Sequence, residues 1–431
     1  MLTMMPIQGD LQVLGLMSGT SGDGIDGALV RFGADGGFRL LWHDSWPFPA
    51  AVRSRLQGLM AAATAREVLQ AGTWVAGLYA EAVAAFRRRH RQPVDLLAAH
   101  GQTLDHDPSD QSWDGIPVRG SLQVLDASFL AERSGLPVVY DFRRRDMAVG
   151  GQGAPLVPFG DLRFFGGACR RGLVVLNVGG IANVTVIRGG RVPRVTAAFD
   201  TGPGNMLMDA LAERLTGGKQ TYDAGGRLAA AGTTSPRLLA TLLRDPYLAV
   251  DPPKSTGRDL YGRAREAKLW RAWGGKLATT DLMSTFLDFT VETIALAIER
   301  FVLPAGPVDE TVIAGGGALN PELVCRLARR LESRCRLRTS DALGVPVMAR
   351  EAMAFAALGD AFARGLPANV PVATGAARPV LLGCLAPSSP PTGTRSEGLP
   401  PSRHGGRRET PVFRLARGAT SRHPRPTPKG R

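Results

Sequence analysis

The chain has 431 residues and a formal net charge of +14, long enough for two lobes that each bury a core. Its four cysteines, Cys169, Cys325, Cys335 and Cys384, form no C-x-x-C pair and no Cys/His cluster, which excludes a disulfide scaffold and the common zinc modules and fits a reducing cytosol. No apolar run reaches the roughly 18 residues of a membrane span, and the opening MLTMMPIQGD lacks the basic region of a secretory signal, so a soluble, cytoplasmic protein is expected.

In chain order, LQVLGLM and IDGALVRF read as strands flanking the turn SGTSGDG, residues 18–24. Glycines let backbone N–H groups approach a phosphate, and Ser18, Thr20 and Ser21 add hydroxyl donors. Asp23 and Asp26 would repel a bare phosphate, so they suit such a turn only with Mg²⁺ between; the alternative is an ordinary hairpin turn, where Asp-Gly is common. Residues 65–90 follow as an amphipathic helix, with VDLLAAH and PVVYDF as strands. Strands alternating with helices predict an α/β first lobe.

Residues 172–188 repeat the opening plan: GLVVLNV leads into GGIAN and out through VTVI. Next, VTAAFDTGPGNMLMDALAERLTGG predicts strand, Gly/Pro turn and a helix ended by Gly217 and Gly218. A long helix follows, with Thr280 as its N-cap and Met283, Phe286, Thr290, Ile294, Ala297 and Phe301 on one face. Finally, ETVIAGGGALNPELVCRLARRL gives strand, glycine turn and helix, with Asn320 as cap, Pro321 at the first position and Leu323, Leu327 and Leu331 inward. Every glycine cluster falls at a strand end, the edge where open α/β sheets bind ligands. A P-loop, a G-x-G-x-x-G and a G-x-S-x-G elbow are all missing.

From Ser388 to Arg431 ten Lys/Arg face two Asp/Glu in a Pro-, Gly- and Ser-rich tail. More than half of the charge excess therefore sits in a segment too poor in apolar residues to fold. Without aromatic interleaving beyond Phe413, that tail argues against a nucleic-acid arm. The expected division is an N-terminal lobe, 11–170, a C-terminal lobe, 171–387, and the tail, 388–431.

Two phosphate hairpins followed by strand, GGG and helix resemble the two-lobed actin-like (ribonuclease H-like) ATPase fold, with a ligand cleft between the lobes. Within it, GLMSGTSGDGID, HGQTLDHDP, DFRRRDMAVGGQGAPLVP, LNVGGIANVTVI, FDTGPGNMLMDA, PPKSTGRDLYG, AGGGALNP and EAMAFAALG resemble the signatures of the bacterial anhydro-N-acetylmuramic acid kinase family, from about Leu14 to Pro387. The resemblance implies an enzyme of cell-wall recycling that opens the 1,6-anhydro ring with water and phosphorylates O6 from ATP, giving N-acetylmuramate 6-phosphate. It also implies Mg²⁺ and a homodimer.

Asp200, ending a strand before a Gly/Pro turn, is the expected general base; the alternative is a turn-capping role. Gly19, Thr20, Ser21, Gly22, Asp23, Gly24, Ile25 and Asp26 match the family's ATP-binding segment, with Asp23 holding Mg²⁺ through water. Gly22 stands where that family usually has leucine, which predicts looser packing and extra backbone freedom of roughly 0.5–1 kcal/mol. Gly179 and Gly180 are expected at the phosphates, and Gly315, Gly316, Gly317 and Asn320 beside the adenosine. For the sugar, the candidates are His100, Gln102, Glu351 and one of Arg143, Arg144 and Arg145 for the lactyl carboxylate, with Arg143 preferred; the GPGN turn before Met206 is a second carboxylate candidate. The rival readings are another amino-sugar kinase of the same superfamily and a non-catalytic ATP-binding scaffold.

Overall fold

A computed structural model describes residues 7–389, so the basic tail expected from 388 lies, from 390 onward, outside the described residues. The first sheet starts as an antiparallel meander, β1 (Leu11–Ser18), β2 (Gly24–Phe32) and β3 (Phe38–Pro47). β4 (Leu96–Trp113) then adds parallel to β1, and its far end folds back as the antiparallel β5 (Ile116–Val124). β6 (Val138–Tyr140) continues parallel to β4.

The second sheet repeats the plan with β7 (Gly172–Val178), β8 (Ile181–Arg188) and β9 (Arg194–Pro203), then β10 (Glu310–Ala314) and β11 (Arg336–Thr339) parallel to β7. The orders are β3-β2-β1-β4-β6 and β9-β8-β7-β10-β11. One five-strand unit therefore occurs twice, in the α/β, two-lobed arrangement expected from the sequence.

Helices cover these sheets with the faces their periodicity dictates. α1 (Ala65–Arg89) begins at a capping box between Thr64 and Glu67 and buries Ala71, Val75, Leu78, Ala82 and Phe86 on one face. α2 (Val157–Phe165) leads out of the first lobe, and α3 (Met206–Leu215) follows β9. α4 (Thr279–Ala297) buries Met283, Phe286, Thr290, Ile294 and Ala297 as its spacing requires, yet its cap position is Ala278 and Thr280 lies inside it. α5 (Pro321–Leu331) starts at Asn320 and turns Leu323, Leu327 and Leu331 inward.

The chain does not stay in the second lobe to its end. α6 (Arg350–Ala363) packs on the first sheet, buried at every residue from Ala352 to Ala363. A Cβ on Gly15 of β1 would lie 2.0 Å from the Ala352 carbonyl oxygen, so only glycine lets strand and helix approach this closely. β12 (Cys384–Ala386) then pairs antiparallel with β6. A single cut after residue 170 therefore misassigns the last stretch to the second lobe. One core cluster accordingly holds Val13 and Val30 of the first sheet, Val175 and Val312 of the second, and Phe355 of α6.

Candidate active site

A cleft of about 340 Å³ opens between the two halves, lined by Asp200, Lys254, Asn177 and Asn183 on one side and by His106, Gln152 and Glu351 on the other. Asp200 stands near the end of β9, opposite Asn183 of β8 in the ladder. The segment after the long excursion folds back over it: the Asp200 N–H donates to the Lys254 carbonyl (3.1 Å), and the Thr256 N–H donates to Asp200 Oδ2 (2.9 Å). The Tyr247 hydroxyl donates to the Asp200 carbonyl at 2.8 Å. Burial pushes the Asp200 carboxyl up to about 6, while the Thr256 N–H and the Lys254 ammonium pull it down. A carboxyl titrating there changes state close to neutrality, as a general base requires.

Arg350 and Glu351, the first two residues of α6, form part of the facing wall. Arg350 is fully engaged: its Nε donates to Asp161 of α2 at 2.7 Å, and the Thr185 hydroxyl of β8 donates to the same carboxylate at 2.7 Å. Glu351 lies within electrostatic reach of Asp26 and of Arg143. Burial pushes the Asp26 carboxyl up to about 6 against the donating Ser45 hydroxyl, and Glu351 and Asp23 add like-charge repulsion.

The three adjacent arginines separate cleanly. Arg144 pairs with Asp141 at 2.6 Å and is largely exposed, and Arg145 is exposed. Arg143 turns inward: Nε and Nη2 donate to His100 Nε2 at 3.1 and 2.9 Å, and Nη1 to the Gly153 carbonyl at 2.9 Å. Since arginine only donates, His100 Nε2 is the acceptor, and its Nδ1–H donates to the Gly101 carbonyl (2.9 Å). Burial, reinforced by the Arg143 charge, holds His100 down at about 3, so the ring stays neutral. Arg143 has no carboxylate partner of its own among the described residues, and burial brings it down to about 10, with Glu351 opposing. His100 is 3% exposed and spent on Arg143.

Gln102 does not line the cleft. Its Oε1 accepts from the Ser18 hydroxyl at 2.6 Å and its Nε2 donates to the Gly19 carbonyl at 3.1 Å, bracing the first turn from beneath. That turn closes with a Gly22 N–H to Gly19 carbonyl bond of 3.1 Å. The N–H groups and hydroxyls of Thr20 and Ser21 have no acceptor or donor partner among the described residues, so they remain for a ligand. Gly22 has φ +65, a backbone that leucine adopts only under strain, and a Cβ there would meet Leu56 at an ordinary contact distance of 3.5 Å. Gly24 and Ile25 already belong to β2: a Cβ on Gly24 would meet the Trp46 carbonyl at 2.5 Å, and Ile25 is wholly buried. Asp23 is exposed at the turn.

The second turn, Gly179–Gly180, joins β7 to β8. Its carbonyls accept the N–H groups of Gly204, Asn205 and Met206 at 2.9, 2.8 and 3.2 Å. The start of α3 is thereby consumed, and the GPGN turn offers those three donors to no carboxylate. The glycine run packs against the same turn: a Cβ on Gly315 would lie 2.6 Å from Asn177 Oδ1, and one on Gly317 2.4 Å from Val178. Gly180 and Gly316 N–H have no acceptor among the described residues. Asn320 spends its Oδ1 on the Glu322 and Leu323 N–H groups, both at 3.1 Å, as the cap of α5.

The family model of anhydro-N-acetylmuramic acid kinase matches residues 11–388. The chain belongs to the anhydro-N-acetylmuramic acid kinase family. It is similar to the anhydro-N-acetylmuramic acid kinases of Caldanaerobacter subterraneus subsp. tengcongensis, 37% identical over 87% of this chain and 96% of that protein, and of Streptomyces coelicolor, 41% identical over 88% and 95%. Among solved structures, the activator of the 2-hydroxyisocaproyl-CoA dehydratase from Clostridium difficile, with bound ADPNP, overlays at 10% identity and TM-score 0.39, covering 82% of this chain and 96% of that one; nothing about the site follows at that distance.

In this member of the anhydro-N-acetylmuramic acid kinase family, Asn177 and Asn183, the ends of the expected second phosphate turn, line the cleft, and Lys254 and His106, which line it too, and Thr256, which bonds Asp200, were not singled out by the sequence. PPKSTG carried the one usable signal for Lys254 and Thr256, a lysine held between prolines and small hydroxyl residues. Asp209, in the first turn of α3, was also overlooked; burial alone pushes its carboxyl up to about 7.

Proposed function

We propose that the chain uses ATP to convert anhydro-N-acetylmuramic acid, with one water, into N-acetylmuramate 6-phosphate. What supports this reading, beside family membership, is the carboxyl of Asp200: it stands in the cleft between the lobes with a pKa of about 6 and a backbone N–H fixing one of its oxygens. In this reading the Asp200 carboxylate takes a proton from water as the water oxygen bonds to C1. The C1–O6 bond breaks, O6 bonds to the γ-phosphorus, and ADP leaves. One water proton stays on the new anomeric hydroxyl and the other passes through Asp200 to solvent.

Arg143, charged and without a carboxylate partner, is the arginine for the lactyl carboxylate, and Glu351 is placed to accept a sugar hydroxyl or amide proton. Thr20, Ser21, Gly180 and Gly316 provide the unused donors for the nucleotide phosphates. Among the described residues no three His, Cys, Asp or Glu side chains gather as a metal cage, which suits a Mg²⁺ carried by the nucleotide and held by Asp23 through water. When bound, that ion neutralises phosphate charge. No helix among the described residues is long and apolar enough to cross a membrane; a cytoplasmic homodimer completes the reading, its oligomeric state open to light scattering.

The test is to incubate the protein with ATP and anhydro-N-acetylmuramic acid in H₂¹⁸O and weigh the product. One ¹⁸O at C1 together with one phosphoryl group supports the reading. A phosphorylated product without the added water assigns the chain to the other amino-sugar kinases, and ATP binding without any product assigns it to a scaffold.

A further inference from the structure

Lys254 is buried in an unusual way. It is 9% exposed, yet no carboxylate pairs with it among the described residues. Its Nζ lies 4.7 Å from the centroid of the Tyr247 ring and 4.7 Å from that of Phe301, and donates to the Tyr247 and Leu248 carbonyls at 3.3 and 3.5 Å. Two aromatic faces and two carbonyl dipoles can hold an ammonium out of water, but they leave its charge unspent. The same residue accepts the Asp200 N–H at its carbonyl, and two residues on, Thr256 donates to the Asp200 carboxylate. Tyr247, one wall of the clamp, donates its hydroxyl to the Asp200 carbonyl. The Lys254 segment and Asp200 are thus tied by three separate hydrogen bonds, two to the Asp200 backbone and one to its carboxylate.

Resting on the reading of Asp200 as the base, we propose that Lys254 is its positioning residue, an unpaired ammonium clamped between Tyr247 and Phe301 on the cleft wall it shares with Asp200. The other charges around the pair are accounted for. Asp251, on the same segment, and Arg300, three residues past the end of α4, pair with each other at 3.9 Å and act on Lys254 with opposite signs. Across the cleft, Arg350 is neutralised by Asp161, and Glu351 lies within electrostatic reach of Asp26 and Arg143. His106 is bonded through Nδ1 to the Ser121 hydroxyl, and burial and Arg143 lower its pKa against Asp105 and Asp107. Lys254 is therefore the charge acting on Asp200 from its own wall, in agreement with its pull on the carboxyl.

The test compares the full-length protein with Lys254→Met, which fills the clamp without the charge, and with Lys254→Arg, which restores it. ¹³C NMR of aspartate-labelled protein, with the Asp200 signal assigned through Asp200→Asn, follows its titration directly, and kcat/KM against pH follows turnover. Lys254→Met is expected to move the Asp200 titration upward by roughly one unit or more, with the acid limb of the rate profile moving in step, and Lys254→Arg to bring both back. An unchanged Asp200 titration in Lys254→Met overturns the proposal. If that variant does not fold, Phe301→Leu, which opens one side of the clamp, carries the same comparison with a smaller upward shift, and no shift there overturns the proposal too. A titration that moves while the rate limb stays put upholds the coupling and removes Asp200 from the role of base.

Discussion

At the scale of single residues, Asp200 and Arg143 carry the sharpest predictions. Because burial raises the Asp200 carboxyl to about 6, it is protonated below that pH and useless as a base, so kcat should rise tenfold per unit up to about pH 6 and then level. Asp200→Asn should lose turnover by about 10²–10⁴-fold while isothermal titration still shows ATP binding; near-normal turnover would remove Asp200 from the mechanism. Arg143→Lys keeps the charge but loses the fork that spans His100 and the Gly153 carbonyl. Its expected mark is a rise in KM for the sugar of about 10- to 100-fold, on the order of 1.5–3 kcal/mol for a hydrogen bond to a charged group, with kcat little changed. The place of Asp200 in the cleft was legible in the sequence because the apolar run VTAAF ends at this carboxylate, just ahead of Gly202 and Pro203. The preference for Arg143 over its two neighbours became physical only with burial, since RRR looks the same at each position.

At the scale of elements, the glycine-rich turns were legible as turns, but which of their residues face a ligand was not. Spacing cannot show that Gln102 looks down at Ser18 and Gly19, that Ile25 points into the core, or that Asn320 spends its oxygen on two N–H groups of α5; each depends on what the rest of the chain brings alongside. Gly22 is the clearest case. Read against leucine at that position in the resembled family, it suggested a loosened turn, whereas its φ of +65 is a conformation that costs a side-chain-bearing residue roughly 1–2 kcal/mol. Gly22→Leu should therefore lower the melting temperature and weaken nucleotide binding together, checked by calorimetry with and without ATP; tighter binding or higher stability would show that the turn relaxes. Gly15→Val, which drives a Cβ into the Ala352 carbonyl across the β1–α6 contact, should destabilise by about 1–3 kcal/mol or more in urea unfolding.

At the scale of the molecule, the duplicated strand order was legible because the chain writes hairpin, glycine turn and helix twice. The return of α6 and β12 to the first sheet was not: EAMAFAALG declares an apolar helix but not which sheet it covers, and β12 is three residues long. That return places Arg350 where Asp161 of α2 and Thr185 of β8 meet it, so one buried carboxylate joins both crossing helices to the second sheet beneath the cleft. The pair is almost wholly inaccessible, at 4% and 0% side-chain exposure. In such a setting removing one partner strands the other charge, at a cost of about 3–5 kcal/mol. Asp161→Asn should accordingly lower unfolding stability by that amount, whereas Thr185→Val, which deletes a neutral donor, should cost about 1 kcal/mol. Both effects can be read from denaturant midpoints at constant slope. Because the same carboxylate spans two lobes, Asp161→Asn should also raise KM for ATP and for the sugar together, as loosened lobes present the two halves of the site less often in register. A variant that loses stability while both KM values stay unchanged would confine the Asp161–Arg350 pair to holding the fold.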